Sequence, residues 1–255
     1  MARRLMAALG AVALLGAHAA STSAAATRHP ATQQTPYAAA AAAECPTDYD
    51  RVVDPAHFVA VVDNPYFPLP IDRTLVYRGI RDGRSQVDRV TVTDRTKVVD
   101  GITATVVRDV AKHGRELLEK TSDLYAQDDL GNVWYLGEDT DAYLRNGTVD
   151  TSGSWQAGVD GAKAGIIMEA HPQAPDAYFE ECRSGEAMDT AWGVSVGGSV
   201  TVPYGSVDDV LTTLEYTQLE PDGVDRKLYA PGLGIVVEET LVGGDEYAEL
   251  VSVSG

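Results

Sequence analysis

Short runs in which apolar and polar residues alternate recur from residue 82 onward. They are separated by Gly-containing pairs at Asp82-Gly83, Asp100-Gly101, His113-Gly114, Asn146-Gly147, Asp222-Gly223 and Gly243-Gly244. Asn-Gly and Asp-Gly supply the positive φ angles of type I′ turns, so this punctuation predicts antiparallel hairpins strung into a meander. In Val90-Thr91-Val92-Thr93 and Ser199-Val200-Thr201-Val202 the alternation is strict, which puts one face on a core and the other in water. Strands are expected over 73–80, 85–94, 102–110, 124–127, 133–136 and 142–145, then over 178–181, 200–203, 210–218, 226–229, 235–242 and 247–253. The run 115–121, with Glu116 and Lys120 four apart, suits a helical turn or a strand, and the hairpin signals around it favour strand. Asp54-Pro55 reads as a helix cap followed by proline in the first turn, giving a short helix to about Val62. Three prolines in Asn64-Pro65-Tyr66-Phe67-Pro68-Leu69-Pro70 make that stretch an extended lead-in to the sheet. The predicted fold is mainly β: a single antiparallel curved sheet, half-barrel or sandwich, with one short N-terminal helix.

The chain opens with a different pattern. Arg3 and Arg4 precede an apolar stretch from Leu5 to Leu15 and small-residue exits at Ala17-His18-Ala19 or Ala24-Ala25-Ala26, which is the writing of an export signal over 1–26. The apolar run is well short of the roughly 20 residues that span a bilayer, so stable membrane insertion is not expected. The residues around Arg3-Arg4 match a twin-arginine signal poorly, leaving the general secretory route. No cysteine follows the apolar run directly, which disfavours a lipid anchor. Residues 27–44, ending in six consecutive alanines, have no apolar period and read as a flexible linker, so the β domain is placed at 45–255. The expected location is therefore secreted or extracytoplasmic.

Composition sharpens that picture. The net charge is −18, and loss of Arg3 and Arg4 with the leader takes it to −20. A chain this acidic repels phosphate backbones and anionic lipid surfaces, so nucleic acid is not an expected partner. Only Cys45 and Cys182 are present, and outside the cytoplasm two thiols suggest one disulfide; two unpaired buried thiols are the alternative.

Candidate chemistry is sparse. Gly193-Val194-Ser195-Val196-Gly197 satisfies the nucleophile-elbow pattern of α/β-hydrolases, but no histidine follows His171 and the surroundings are strand and turn. His57, His113 and His171 lie on three separate segments, with no pairing that ligates a transition metal. Glu138-Asp139-Thr140-Asp141 lacks the spaced ladder and central glycine of a calcium loop and reads as an acidic hairpin end. The adjacent pairs Glu180-Glu181 and Glu238-Glu239 point to opposite faces in a strand, so neither works jointly as acid and base. No catalytic residue, metal site or cofactor is nominated. Trp134, Tyr135, Trp155, Trp192, Tyr204 and Tyr229 supply aromatic surface for a ligand, against the alternative use of such rings in core packing.

Two resemblances add to this reading. Asp129-Leu130-Gly131-Asn132-Val133-Trp134 resembles the Asp-box hairpin of sialidases and other β-propellers, in which the aspartate closes the turn and the tryptophan packs beneath it. It occurs once, so neither propeller nor sialidase activity carries over. The set Asn64-Pro65-Tyr66-Phe67-Pro68-Leu69, Trp134-Tyr135-Leu136-Gly137-Glu138-Asp139-Thr140, Ser154-Trp155-Gln156-Ala157-Gly158, Val202-Pro203-Tyr204-Gly205 and Tyr229-Ala230-Pro231-Gly232-Leu233-Gly234 resembles an uncharacterised family of exported bacterial proteins. That likeness implies a β-rich extracytoplasmic domain and no reaction, with Cys45 and Cys182 peculiar to this chain. The last of these motifs also reads like the end of curved-sheet proteins that shelter apolar ligands, an analogy of fold. The function expected from the sequence is non-catalytic binding of an apolar small molecule, an envelope polymer or a protein. A secreted hydrolase and a structural envelope module are the alternatives.

Overall fold

The structure is a computed structural model that describes residues 44–46, 49 and 53–255. The expected leader and, except for Glu44, the expected linker lie outside those residues. In chain order the strands are β1 (Phe58–Val59), β2 (Thr74–Arg81), β3 (Arg84–Val99), β4 (Ile102–His113), β5 (Glu116–Asp128), β6 (Val133–Tyr143), β7 (Val149–Asp150), β8 (Trp155–Gln156) and β9 (Lys163–Met168). They continue with β10 (Ala177–Phe179), β11 (Glu181–Cys182), β12 (Asp189–Val196), β13 (Ser199–Val202), β14 (Gly205–Asp208), β15 (Leu211–Thr217), β16 (Val224–Ala230), β17 (Gly234–Val242) and β18 (Tyr247–Ser254).

The meander is there, and its turns follow the predicted chemistry. Both residues of Asp82-Gly83 (φ 53° and 66°) and of Asp100-Gly101 (φ 46° and 82°) have positive φ, as a type I′ turn requires. The next turn sits one residue later than the pair suggests. His113 stays in β4 opposite Glu116, and Gly114-Arg115 forms the loop.

Strands β2 to β6 pair consecutively, β15 to β18 pair consecutively, and β18 returns to lie beside β2. The hydrogen-bonded path runs β10-β12-β15-β16-β17-β18-β2-β3-β4-β5-β6-β9-β11, so its two ends are neighbours in the chain. Tyr178 pairs with Ala191 of β12, the Glu180 amide donates to the Asp189 carbonyl at 2.8 Å, and Glu181 pairs with Ala164 of β9. One segment, Ala177–Cys182, thus switches partners halfway along and brings the two ends of the sheet together, nearly closing it into a barrel. Closure removes the open edges that a sheet this wide would otherwise expose. The Cys45–Cys182 disulfide, with Cα atoms 5.8 Å apart, fastens the start of the domain to this seam. Its closed loop of 137 residues stabilises by about 5 kcal/mol in the chain-entropy account.

Several elements depart from the sequence reading. The expected helix is a single 3-10 turn, Pro55–His57, capped by Asp54, whose carboxylate accepts from the Ala56 amide at 2.9 Å. It ends early because Phe58 and Val59 pair with Asp128 and Gln127 of β5. The expected strands at 115–121 and 124–127 are one strand, and those at 133–136 and 142–145 are one strand, β6. Strands β9 and β12 were not anticipated. β9 follows a glycine-rich stretch and, past Lys163, is buried at every position, so it shows no alternation. Gly193 interrupts β12, and a Cβ there would lie 2.4 Å from the Gln173 carbonyl oxygen.

Gly165 of β9 is where the seam packs most tightly. A Cβ at this position would stand 2.3 Å from the carbonyl carbon and oxygen of Glu180. Gly165→Ala is expected to destabilise the protein by about 1 to 3 kcal/mol through overpacking, read as a lower urea midpoint. Gly223→Ala, whose Cβ meets nothing closer than the Glu220 carbonyl oxygen at 3.4 Å, should be near neutral.

Candidate functional site

Alternation along each strand decides what faces the barrel interior. On β5 the inward positions are Glu119, Thr121, Asp123 and Tyr125, and their cross-strand partners on β6 include Thr140 and Glu138. On the far wall Thr213 and Glu215 of β15 face Lys227 and Asp225 of β16. Part of the lumen is therefore polar. Asp128 of the β5–β6 hairpin apart, twelve carboxyl side chains are buried among the described residues, against two buried bases, Arg81 and Lys227. Lys227 is fully enclosed; it pairs with Glu215 and stands 3.9 Å from Glu238. Arg81 lies 3.3 Å from Glu246. Burial alone would lower Lys227, but Glu215, Glu238 and Glu180 together raise it well above its usual value.

Two cations cannot neutralise that many carboxylates, so the lumen holds protons. Burial pushes Glu119 up to about 8 against the opposing pull of Arg81, and Glu246 up to about 7. It also raises Asp109, Glu138, Glu180 and Glu181 well above the carboxylate range, with neighbouring carboxylates adding to the rise. The Glu181 carboxyl is hydrogen-bonded to Asp189, a contact that needs a shared proton. Neither oxygen of Glu180, in the seam, has a hydrogen-bond donor among the described residues.

The other part of the interior is an apolar cleft. Its walls are Leu75 and Tyr77 of β2, Val90 of β3, Val107 of β4 and Tyr125 of β5; Asp123 lies among them. Phe67, Pro68 and Leu69 from the proline-rich lead-in, Leu233 from the β16–β17 turn and Gly234 and Ile235 at the start of β17 complete the lining. These two connections are tied to each other, since the Gly232 amide donates to the Pro65 carbonyl at 2.8 Å and Arg73 Nη2 to the Gly232 carbonyl at 2.6 Å. Asn64 anchors the lead-in, its Nδ2 donating to the carbonyls of Gly131 and Glu169 at 2.9 and 3.0 Å. The cleft volume is about 50 Å³, room for a small group or the end of a longer molecule. Asp123 is its single charged group. Tyr135 Oη donates to Asp123 Oδ1 at 2.8 Å, and burial pushes the carboxyl up to about 7 against this bond and Lys227.

The six aromatic residues nominated from sequence do not gather at this cleft. Trp134, Tyr135, Trp155 and Tyr229 are buried in the core. Tyr135 stacks on Tyr125 at 4.9 Å and meets Trp155 edge-on at 5.2 Å, so it supports the cleft from behind through Tyr125 and Asp123. Tyr229 reaches Glu215 at 3.4 Å. Trp192 is 45% exposed beside Tyr216, and Tyr204, 44% exposed, caps the β13–β14 hairpin. Phe67, Tyr77, Tyr125 and Asp123 were missed. The available signal was the inward parity of Thr121, Asp123 and Tyr125, which places an acid on a core face.

Other motifs resolve differently from expectation. In the Asp-box-like hairpin Asp128, not Asp129, closes the turn: its carboxylate accepts from the amides of Leu130 and Asn132, from Asn132 Nδ2 and from Trp134 Nε1, at 2.8 to 3.0 Å. Asp129 instead accepts from His57 Nδ1 at 2.8 Å on the surface. Glu138 to Asp141 is not a hairpin end but the middle of β6, with Glu138 and Thr140 buried and Asp139 exposed. Among the described residues no group of three or more His, Cys, Asp and Glu side chains is placed to hold a metal ion. Glu238 turns in toward Lys227 while Glu239 turns out to Arg226 at 2.7 Å, the predicted opposition of adjacent strand residues.

No family profile matches the chain, and no curated protein matches it. Two solved structures are similar to it. One, from Bacteroides fragilis, is regarded as an exported protein with a YmcC-like fold; it is 13% identical, with 74% of this chain and 99% of that one covered and a TM-score of 0.43. The other, from Parabacteroides distasonis, is regarded as a lipoprotein, at 11% identity, 75% and 99% coverage and a TM-score of 0.43. At that TM-score neither likeness bears on the chemistry of this chain.

The lumen makes stability depend on pH with a defined sign. These carboxyls bind protons more tightly folded than unfolded, so their contribution is complete below about pH 4 and drains away as pH rises through 6 to 8. The free energy of unfolding in urea is expected to fall by several kcal/mol, on the order of one such group's full shift, between pH 5 and pH 8.5. A flat or rising profile would contradict a dry, protonated lumen. Separately, Asp128→Ala should cost about 1 to 3 kcal/mol by stranding the hairpin donors, seen as a lower thermal midpoint at fixed pH.

Proposed function

We propose that this protein is an exported β-barrel that binds the apolar part of a small ligand without transforming it. The observation that carries the reading is the cleft: an apolar recess inside the barrel, roofed by the proline-rich lead-in and the start of the β16–β17 hairpin, with one carboxyl group among its lining. Export is supported by the leader pattern over 1–26 and by the Cys45–Cys182 disulfide, a bond that persists in oxidising compartments. The roof is where a ligand would be admitted, because the Phe67 to Leu69 stretch is held by turns and side chains rather than by a strand ladder.

The hydrolase alternative has weaker support. Ser195 lies exposed on β12 opposite Thr212. His113 Nδ1 is 2.6 Å from the Ser85 carbonyl and 3.5 Å from the Ser85 hydroxyl, so it donates to the former and is no base toward the latter. His57 is committed to Asp129.

Native mass spectrometry of the mature protein from a secreting host, followed by denaturing extraction, tests the binding reading. A co-purifying apolar or amphiphilic small molecule is the expected result. A clean apo mass, together with no binding of short-chain alcohols by calorimetry, would overturn it.

A further inference from the structure

The lining of the cleft specifies more than apolarity. Phe67, Tyr77 and Tyr125 present three aromatic rings to one small recess, with Phe67 and Tyr125 edge-to-face at 5.0 Å. Asp123, 4% exposed, shares that recess. Among the described residues Tyr135 is its one side-chain hydrogen-bond donor, and its own backbone amide adds a further contact. An aromatic wall around a desolvated carboxylate is unsuited to a plain hydrocarbon, which would keep water from the acid and offer its charge no compensation. It suits a cation, because ring faces and carboxylate attract positive charge together and do so more strongly where water is excluded.

The surroundings of Asp123 point the same way. Glu138 of β6 is its direct cross-strand partner, Asp109 of β4 lies near enough to be perturbed by its charge, and Lys227 of β16 is the one base that acts on it. With several acids and a single base around it, this site offers an anionic guest no attraction, whereas the Asp123 carboxylate attracts a cation. From these observations we infer that the cleft takes a primary or methylated alkylammonium, its charged head against Asp123 between Phe67, Tyr77 and Tyr125 and its chain toward the roof. The inference rests on the binding reading above and narrows its ligand class.

Calorimetry on the mature chain with n-butylammonium, n-butanol and butyrate as probes separates the two. At pH 7.5, n-butylammonium is expected to bind at least about tenfold more tightly than n-butanol, with butyrate weakest. At pH 5.5, where Asp123 keeps its proton, that preference should collapse while n-butanol binding is unchanged. Asp123→Asn should abolish the preference at pH 7.5 and still bind n-butanol. Should that variant fail to fold, the wild-type pH series decides alone. Equal binding of alcohol and ammonium at pH 7.5, or a preference that persists at pH 5.5, would overturn the ammonium assignment and leave the apolar cleft standing. If none of the three probes binds, both readings fall.

Discussion

Everything inside the barrel depends on the switch of hydrogen-bond partners within Ala177–Cys182. Strands β2 to β6 and β15 to β18 would form long antiparallel ribbons without it, but ribbons have edges, and the interior would be a face open to water. Closure by six residues demands close approach. Gly165 provides it by having no side chain where the Glu180 backbone crosses, and the disulfide to Cys45 holds the segment from the other side. Pairings of two and three residues thus help to enclose the buried carboxyl groups.

That enclosure has an electrostatic consequence. A carboxylate on an open curved sheet would be hydrated and ionised; the same residue in a closed lumen faces the cost of losing water. Arg81 and Lys227 offset part of that cost for Glu246 and for Glu215 with Glu238. Asp109, Glu119, Glu138, Glu180 and Glu181 bind their protons more tightly for being buried, so the stability of the folded state is coupled to proton supply. The cleft lies where this acidic layer meets the apolar one, and Asp123 belongs to both.

Much of the architecture was legible because hairpin grammar is local. Asp82-Gly83 and Asp100-Gly101 needed only their own φ preferences, and the alternation around Val90 and Val92 correctly assigned one face to the core. The reading failed where local pattern and tertiary need diverged. Phe58 and Val59 left the helix to pair with β5, β9 lost its alternation because both faces are covered, and Gly193 in β12 marked a close approach to Gln173 rather than a turn. The hairpin aspartate was misassigned by one position because Asp128 and Asp129 are adjacent and only the backbone decides which points into the turn.

By itself, the sequence determined an antiparallel β domain with strong negative charge and two cysteines, since each of those follows from neighbouring residues or from counting. Two of its motifs, Asn64 to Leu69 and Tyr229 to Gly234, turn out to roof one cleft, yet nothing in either string says that it meets the other. Only the tertiary structure decided that Tyr77, Tyr125, Asp123 and Phe67 share a recess, that Trp134 and Tyr229 are core, and that acids on opposite walls confront one another. The physical reason is register: strand alternation fixes which face a residue takes, while barrel closure and shear fix which residues on that face become neighbours.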